Sequence, residues 1–218
     1  MAYDLTMRIK NKSEGQNESS FIEIARRQQI IEATIQTIAK LGYVQASLAG
    51  IAKEIGVSKG VISYHFVSKD DLIEQVIATL QARSTVYLQS QVDVQTSARD
   101  KLRACIEASF DFAQAHRDHM VALVALLVSF GSSEARQRFY ASGYGPARRY
   151  LEAILELGQQ TGEFRSLSTP TLATLILSSV DGAIMQWVFD EHAVHLDDCR
   201  KELVALFRVH TQKVLDNN

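Results

Sequence analysis

Cysteine and proline are almost missing from this 218-residue chain, which has two of each. Cys105 and Cys199 lie far apart and neither has a Cys-x-x-Cys partner, which argues against a disulfide framework or a zinc ribbon. A reducing compartment suits such a chain, so the cytoplasm is the expected location. The polar opening, Met1 to Ser20, lacks the apolar core of a secretion signal, and the longest apolar run, Met120 to Val128, is far short of a membrane span. No membrane partner is expected. An excess of one charge is lacking too: the net charge is -2, with 9 Lys+Arg against 7 Asp+Glu in residues 1–70 and 14 against 18 in the rest. That mild asymmetry permits a DNA-binding head on an acidic body without requiring one. There is no P-loop, no Gly-x-Gly-x-x-Gly and no Gly-x-Ser-x-Gly elbow, so an enzyme has no nucleophile or phosphate cradle to work with. No catalytic residue and no cofactor is expected.

Alternating β-branched runs bounded by turn residues are also missing, and what remains reads as helix. Apolar residues make up 46% and charged residues 22%, the balance of an ordinary globular protein. Ile31, Ile35, Ile38 and Leu41 form one helical stripe that Gly42 ends. Residues 1–20 fall outside it and read as a flexible arm. Short helices follow over 47–55 and 58–66, and a fourth starts at Ser68, where Ser68-x-x-Asp71 has capping-box spacing, and passes through Leu72, Val76 and Leu80. Longer segments are expected over 98–116, 118–130, 133–141, 146–161, 170–191 and 197–215, with Pro146 and Pro170 at the first position of their helices. The stretch Met120 to Phe130 is apolar nearly all round, which puts it at the centre of the larger domain. The expected fold is all-α: an arm (1–20), a helix-turn-helix domain (21–68) and a helical ligand-binding and dimerisation domain (69–218).

The stretch from Ser47 to Phe66 has the spacing a helix-turn-helix needs. Two helices crossing steeply over a short turn require a small residue at their closest approach, here Ala52, and one tolerant of positive φ in the turn, here Gly56. Ile51, Ile55, Val57 and Ile62 fill the wedge between them. Ser58 caps the second helix, whose residues Lys59, Gly60, Val61, Ser63 and Tyr64 would face the major groove of double-stranded DNA. A plain helical hairpin is the bland alternative, but it would not demand all these residues at matching offsets.

The segment from Gly56 to Leu72, Gly-Val-Ser-Lys-Gly-Val-Ile-Ser-Tyr-His-Phe-Val-Ser-Lys-Asp-Asp-Leu, resembles the signature of the TetR family of bacterial transcriptional regulators. The resemblance is specific over residues 25–75. Elsewhere it rests on length, helix content and the Gly158-x-x-x-Gly162-Glu163-Phe164 break. It implies that Lys59, Gly60, Val61 and Ser63 meet base edges or nearby backbone, and that Ser47, Tyr64, His65 and Lys69 bind phosphates. Hydroxyl, phenol, imidazole and ammonium groups are suitable phosphate donors. Ser63 departs from the aromatic residue many members carry, and Ala49-Gly50 from a longer polar residue, so base readout would be sparse.

Three further expectations concern the body. Phe110, Phe112, Met120, Tyr144, Tyr150, Met185 and Trp187, with Glu107 and Asp181 at otherwise apolar positions, suggest a mostly apolar pocket for a small-molecule effector. The alternative is a filled core, with Asp181 facing outward; facing inward, Asp181 would pair with a cationic ligand. A homodimer is expected through the last two long helices, with Leu172, Ile176, Val180, Ala183 and Trp187 on one face and Leu203, Phe207, His210 and Val214 on the other. The run Glu191-His192-Ala193-Val194-His195 lacks His-Glu-x-x-His spacing, and it reads, like His116-x-x-His119, as a helix junction and not a metal site. The leading function is a ligand-responsive repressor released from a palindromic operator. A constitutive DNA binder and, more distantly, a helical enzyme or carrier are the alternatives.

Overall fold

The computed structural model describes the backbone of residues 3–129 and 131–212, and the side chains from residue 21 onward over the same stretch. Its helices are α1 (Tyr3–Leu41), α2 (Leu48–Glu54), α3 (Lys59–His65), α4 (Lys69–Val92), α5 (Ala98–Ala115), α6 (Arg117–Leu127), α7 (Ser133–Phe139), α8 (Gly145–Gln160), α9 (Thr169–Phe189) and α10 (Leu196–Thr211), with a π-helical turn over Tyr140–Tyr144. No strand occurs among the described residues. The chain divides into two compact units, Met1–Val76 and Ile77–Asn218, so the boundary falls inside α4, later than the 68/69 border the motif suggested.

In the first unit α1 starts at Tyr3, which gives residues 3–20, expected as an arm, a helical backbone. The stripe on α1 is buried as expected through Ile31, Ile35 and Ile38, joined by Ile30, while Leu41 is exposed. Thr34 and Thr37 are buried as well, each donating its hydroxyl to the carbonyl one turn back, Ile30 and Ala33. Ile51, Ala52, Ile62, Phe66, Leu72 and Val76 are buried in the same unit. Gly42 and Gly56 have φ of 82° and 68°, the left-handed conformation their turns require. Half of the capping box at α4 forms, Ser68 Oγ accepting from Asp71 N at 3.1 Å, while the Asp71 carboxylate accepts from Val67 N at 3.0 Å, one residue before the N-cap.

In the second unit α5 is the central helix, contributing Leu102, Ile106, Phe110 and Phe112 to a core completed by α8, α9 and α10. The expectation that the 118–130 stretch forms the centre is thereby corrected. Helix α6 buries Met120, Ala122, Val124 and Leu126 but only half-buries Leu123 and Leu127, and Val128 is exposed. Its other flank borders a cavity, and cavity walls are as apolar as packed core. Pro146 stands in the first turn of α8, as expected, although α7, the π turn and α8 run on continuously. Proline cannot donate the regular backbone hydrogen bond, and the wider π register, with Gly145 N–H on the Tyr140 carbonyl, accommodates it.

The start of α5 is secured from a distance. Ser97 Oγ accepts from Asp100 N at 3.0 Å, and the Glu163 carboxylate accepts from Ala98 N at 3.0 Å and Arg99 N at 3.1 Å. Burial pushes the Glu163 carboxyl up, but the two backbone donors and the Thr161 hydroxyl outweigh it, and the group titrates below the usual carboxylate range. Glu163→Gln is therefore expected to cost about 1 kcal/mol at pH 7. A depressed carboxylate contributes stability above its unfolded pKa and loses it as pH falls through the folded one. The difference between the Glu163→Gln variant and the parent in urea unfolding should thus shrink on acidification.

The faces expected to pair in a dimer are partly spent inside one chain. Leu172, Ile176 and Val180 of α9 and Phe207 of α10 are buried in the core, and Ala183, Trp187 and Leu203 are half-buried. His210 is exposed and bonded to Arg165, while Val214 lies outside the described residues. The large apolar residues these two helices leave exposed are Leu175, Met185, Phe189, Leu206 and Val209. Helix α9 is also long and apolar enough to meet the length and composition of a membrane span, with a third of its apolar window buried in the chain.

Candidate functional site

The chain carries two candidate sites, one in each unit. In the first, α2 and α3 meet around Ala52, with Ile51 and Ile62 fully buried beneath. This leaves Lys59, Gly60, Ser63 and Tyr64 exposed on α3, while Val61 is half-buried and presents less to a partner than the sequence suggested. Ser47 caps α2 by accepting from Gly50 N at 3.1 Å, which leaves its hydroxyl proton free to donate. Ser58 stands at the N-cap of α3 without a side-chain bond, so its hydroxyl is uncommitted.

Three contacts that the motif did not announce hold this surface. The Arg27 guanidinium donates to the His65 carbonyl and lies over the Phe66 ring at 4.4 Å, fixing the end of α3 from α1. Tyr64 donates its hydroxyl to the Glu23 carboxylate at 3.0 Å, and that acceptor raises the phenol above the usual tyrosine range. Lys69 donates to the Tyr43 carbonyl at 3.1 Å with its ammonium 4.1 Å from the Tyr43 ring centre. Lys69 is thus a strut of the turn as well as a surface cation, with two ammonium protons left over. His65 is half-buried with its ring edge-on to Tyr64 at 5.0 Å.

The second site is a cavity of about 300 Å³ that lies entirely within the second unit, bounded by α4, α5, α6, the π turn, α8 and α9. Phe112, Met120, Tyr144, Tyr150, Asp181 and Met185, all anticipated, border it. Three anticipated residues do not. Glu107 faces outward beside Arg103, with a 3.9 Å ion pair; Phe110 is fully buried core; Trp187 packs under the Arg117 guanidinium at 5.4 Å. The error was one of helix face: all three are on cavity-lining helices but turned away from the cavity.

Asp181 faces inward. It borders the cavity and keeps some accessible surface, yet protein surrounds most of it, and that desolvation pushes its carboxyl up to about 6, with the neighbouring Tyr144 hydroxyl opposing. Burial, with Asp181 beside it, raises the Tyr144 phenol in turn. Tyr150 donates to Asp93 at 2.8 Å, and the Cys105 thiol, buried on the wall, is pushed up to about 12 and stays protonated. The sequence reading missed the polar wall supplied by α4: Gln81, Ser84, Thr85 and Gln89. Their i, i+3, i+4, i+8 spacing was visible, but a polar stripe reads as a solvent face unless a cavity is known to lie behind it.

Residues 30–76 match the model of bacterial regulatory proteins of the tetR family, and residues 98–215 match that of the BetI-type transcriptional repressor C-terminal domain. The chain belongs to the TetR family. This regulator is 29% identical over 182 residues to the fatty acid metabolism regulator protein of Bacillus subtilis, covering 82% of this chain and 88% of that one. Two solved structures share the fold. A transcriptional regulator FadR from Bacillus subtilis in complex with stearoyl-CoA superposes with a TM-score of 0.75 at 23% identity, covering 82% of this chain and 96% of that one. A regulator from Saccharomonospora viridis in complex with choline superposes with a TM-score of 0.77 at 23% identity, covering 86% and 98%. The protein is a DNA-binding transcriptional regulator, with a helix-turn-helix unit and a second unit that holds a cavity.

Proposed function

We propose that this protein is a homodimeric cytoplasmic repressor that grips a palindromic operator with two copies of α3 and lets go when a small molecule occupies the body cavity. The observation that carries the proposal is a seven-residue recognition helix in the same chain as a separate, largely apolar cavity. So short a helix makes few base contacts, so useful affinity needs a second copy one helical turn along the duplex. A ligand switches such a protein only through different affinities for its DNA-competent and DNA-incompetent forms, and operator must then weaken the ligand by the same factor.

On DNA, Lys59, Gly60, Val61 and Ser63 read bases or their adjoining backbone, while Ser47, Ser58, Tyr64, His65 and Lys69 hold phosphates. To reach a phosphate, Tyr64 must leave Glu23, a weak competitor because the contact is exposed to water. Lys69→Ala is expected to weaken binding to all duplexes alike and to lower the slope of log affinity on log salt by about 1. Tyr64→Ala should weaken all duplexes without changing that slope, and Lys59→Ala should change sequence preference. Duplexes selected from a random pool, titrated at several salt concentrations, provide the measurement. Parent-like binding by both Tyr64→Ala and Lys69→Ala would show the phosphate roles to be misassigned.

Dimerisation is supported by the apolar residues that α9 and α10 leave exposed. Leu175 and Phe189, with Gly182 between them in open space, recur on one face of α9, and Leu206 and Val209 stand out from α10. Two copies pairing these stripes bury them as a four-helix bundle. Phe189→Glu with Leu206→Glu should give a folded monomer by sedimentation, whereas Leu172→Ala, which opens the core, should lower the melting temperature. A double variant that still sediments as a dimer would move the interface elsewhere.

A further inference from the structure

The cavity wall carries one carboxylate and, among the described residues, no Lys, Arg or His side chain. The polar group beside Asp181 is the hydroxyl of Tyr144, which is neutral. Of the other titratable groups on the wall, Tyr150 bonds outward to Asp93 and Cys105 is a neutral thiol, so neither supplies a positive charge. A buried carboxylate without a countercharge is costly, and the protein keeps this one facing a space a ligand can fill.

A second polar group on the same wall is also uncommitted. Gln81 Nε2, on α4, is buried without a hydrogen-bond acceptor among the described residues. It reaches its place because residue 143 is glycine: a Cβ there would fall 2.3 Å from it. Gly143 and Tyr144 are neighbours in the π turn, so the unmatched donor and the unmatched carboxylate are both gathered by this one turn, with apolar wall beyond. π turns inside helices recur at ligand sites.

We propose that the effector is an amphipathic monocation: its ammonium-type charge pairs with Asp181, a nearby oxygen accepts from Gln81 Nε2, and its apolar body lies along α5 and α6. This rests on the reading of the cavity as an effector site and narrows its chemistry. A carboxylate or phosphate buried here would face Asp181 with no cation to offset either charge. A neutral apolar molecule would leave both polar groups unmatched.

The test uses three probes of equal tail length, octylammonium, octanol and octanoate, together with 3-(pentyloxy)propylammonium, which places an ether oxygen near the charge. Calorimetry at pH 7.5 on the full-length protein should rank octylammonium about tenfold or more tighter than octanol, as a charge-assisted hydrogen bond warrants, with octanoate weakest. In Asp181→Asn the ammonium should lose its advantage while octanol binds as before. In Gln81→Leu the ether compound should lose its edge over octylammonium, with octylammonium itself unaffected. Octanoate binding as tightly as octylammonium, an ammonium preference that survives Asp181→Asn, or no binding by any probe would each overturn the proposal. Release of a selected duplex separates the two layers of inference. If octanol or octanoate releases DNA and the ammonium does not, the cationic class falls and the regulator reading stands. If the protein retains no duplex from a random pool, the effector role falls with the regulator reading, even if octylammonium binds through Asp181.

Discussion

Asp181→Asn is expected to melt at a higher temperature than the parent at pH 7.5, even though it removes the charge that the effector needs. The carboxyl titrates near 6 in the folded protein against an ordinary value of 3.8, so the fold prefers the protonated form. The sign follows from proton counting. Between those two values the folded state binds more protons than the unfolded one, so stability falls as pH rises through the window and then levels off. Keeping the group ionised above pH 7 costs up to about 3 kcal/mol, which in a domain of this size corresponds to a melting shift of several degrees. Asparagine has the same shape without the charge and avoids that cost. The gap between variant and parent should be near zero at pH 4, open between pH 4 and 6, and stay constant above pH 7. A variant that melts below the parent at pH 7.5 would mean that Asp181 has a compensating cation and does not stand alone in the cavity wall.

Gly158→Ala should be among the most damaging small substitutions in the body, although alanine favours a helix over glycine by about 1 kcal/mol. A Cβ on residue 158 would lie 2.0 Å from Cδ2 and 2.4 Å from Cε2 of Phe164. The ring cannot step aside. Phe164 is 2% exposed in the core, and its backbone N–H donates to the Gly158 carbonyl at 2.9 Å. Forced overpacking of this kind costs about 1–3 kcal/mol, occasionally more, so the clash exceeds the gain in helix propensity. Urea unfolding should show a net loss of about 1–2 kcal/mol in the Phe164 background. In a Phe164→Ala background the same change should be neutral or stabilising. That reversal is the signature of direct contact. Equal effects in both backgrounds would place the cause elsewhere.

The head was legible because its constraints are local. Gly56 must take a positive φ, Ala52 must be small, and Ile51 and Ile62 must be apolar, all within one short stretch, and each is found so. What escaped was tertiary: Arg27 and Glu23 hold α3 from more than thirty residues away, and an arginine or glutamate on an exposed helix looks the same whether or not it has such a task. In the body, composition located the cavity region and its aromatic and acidic members, but helix faces could not be assigned once almost every position was apolar. Glu107 and Asp181 illustrate the limit. Each is an acid flanked by apolar residues in its helix; one faces water beside Arg103 and the other a cavity beside Tyr144, and the rotation of the helix tells them apart. The faces expected to pair in a dimer show the same limit: Leu172 and Leu175 are three positions apart on α9, yet one is core and the other surface.

The π turn at Tyr140–Tyr144 has a consequence for how such a body can diversify. A π turn is one residue more than the α-helix needs, and one residue corresponds to a rotation of about 100° about the helix axis. All of α8 downstream, including Tyr150 and Leu151 on the cavity wall, owes its azimuth to that extra residue. The turn acts as a dial between two helical stretches: a single codon gained or lost there re-aims an entire wall of side chains without altering any of them.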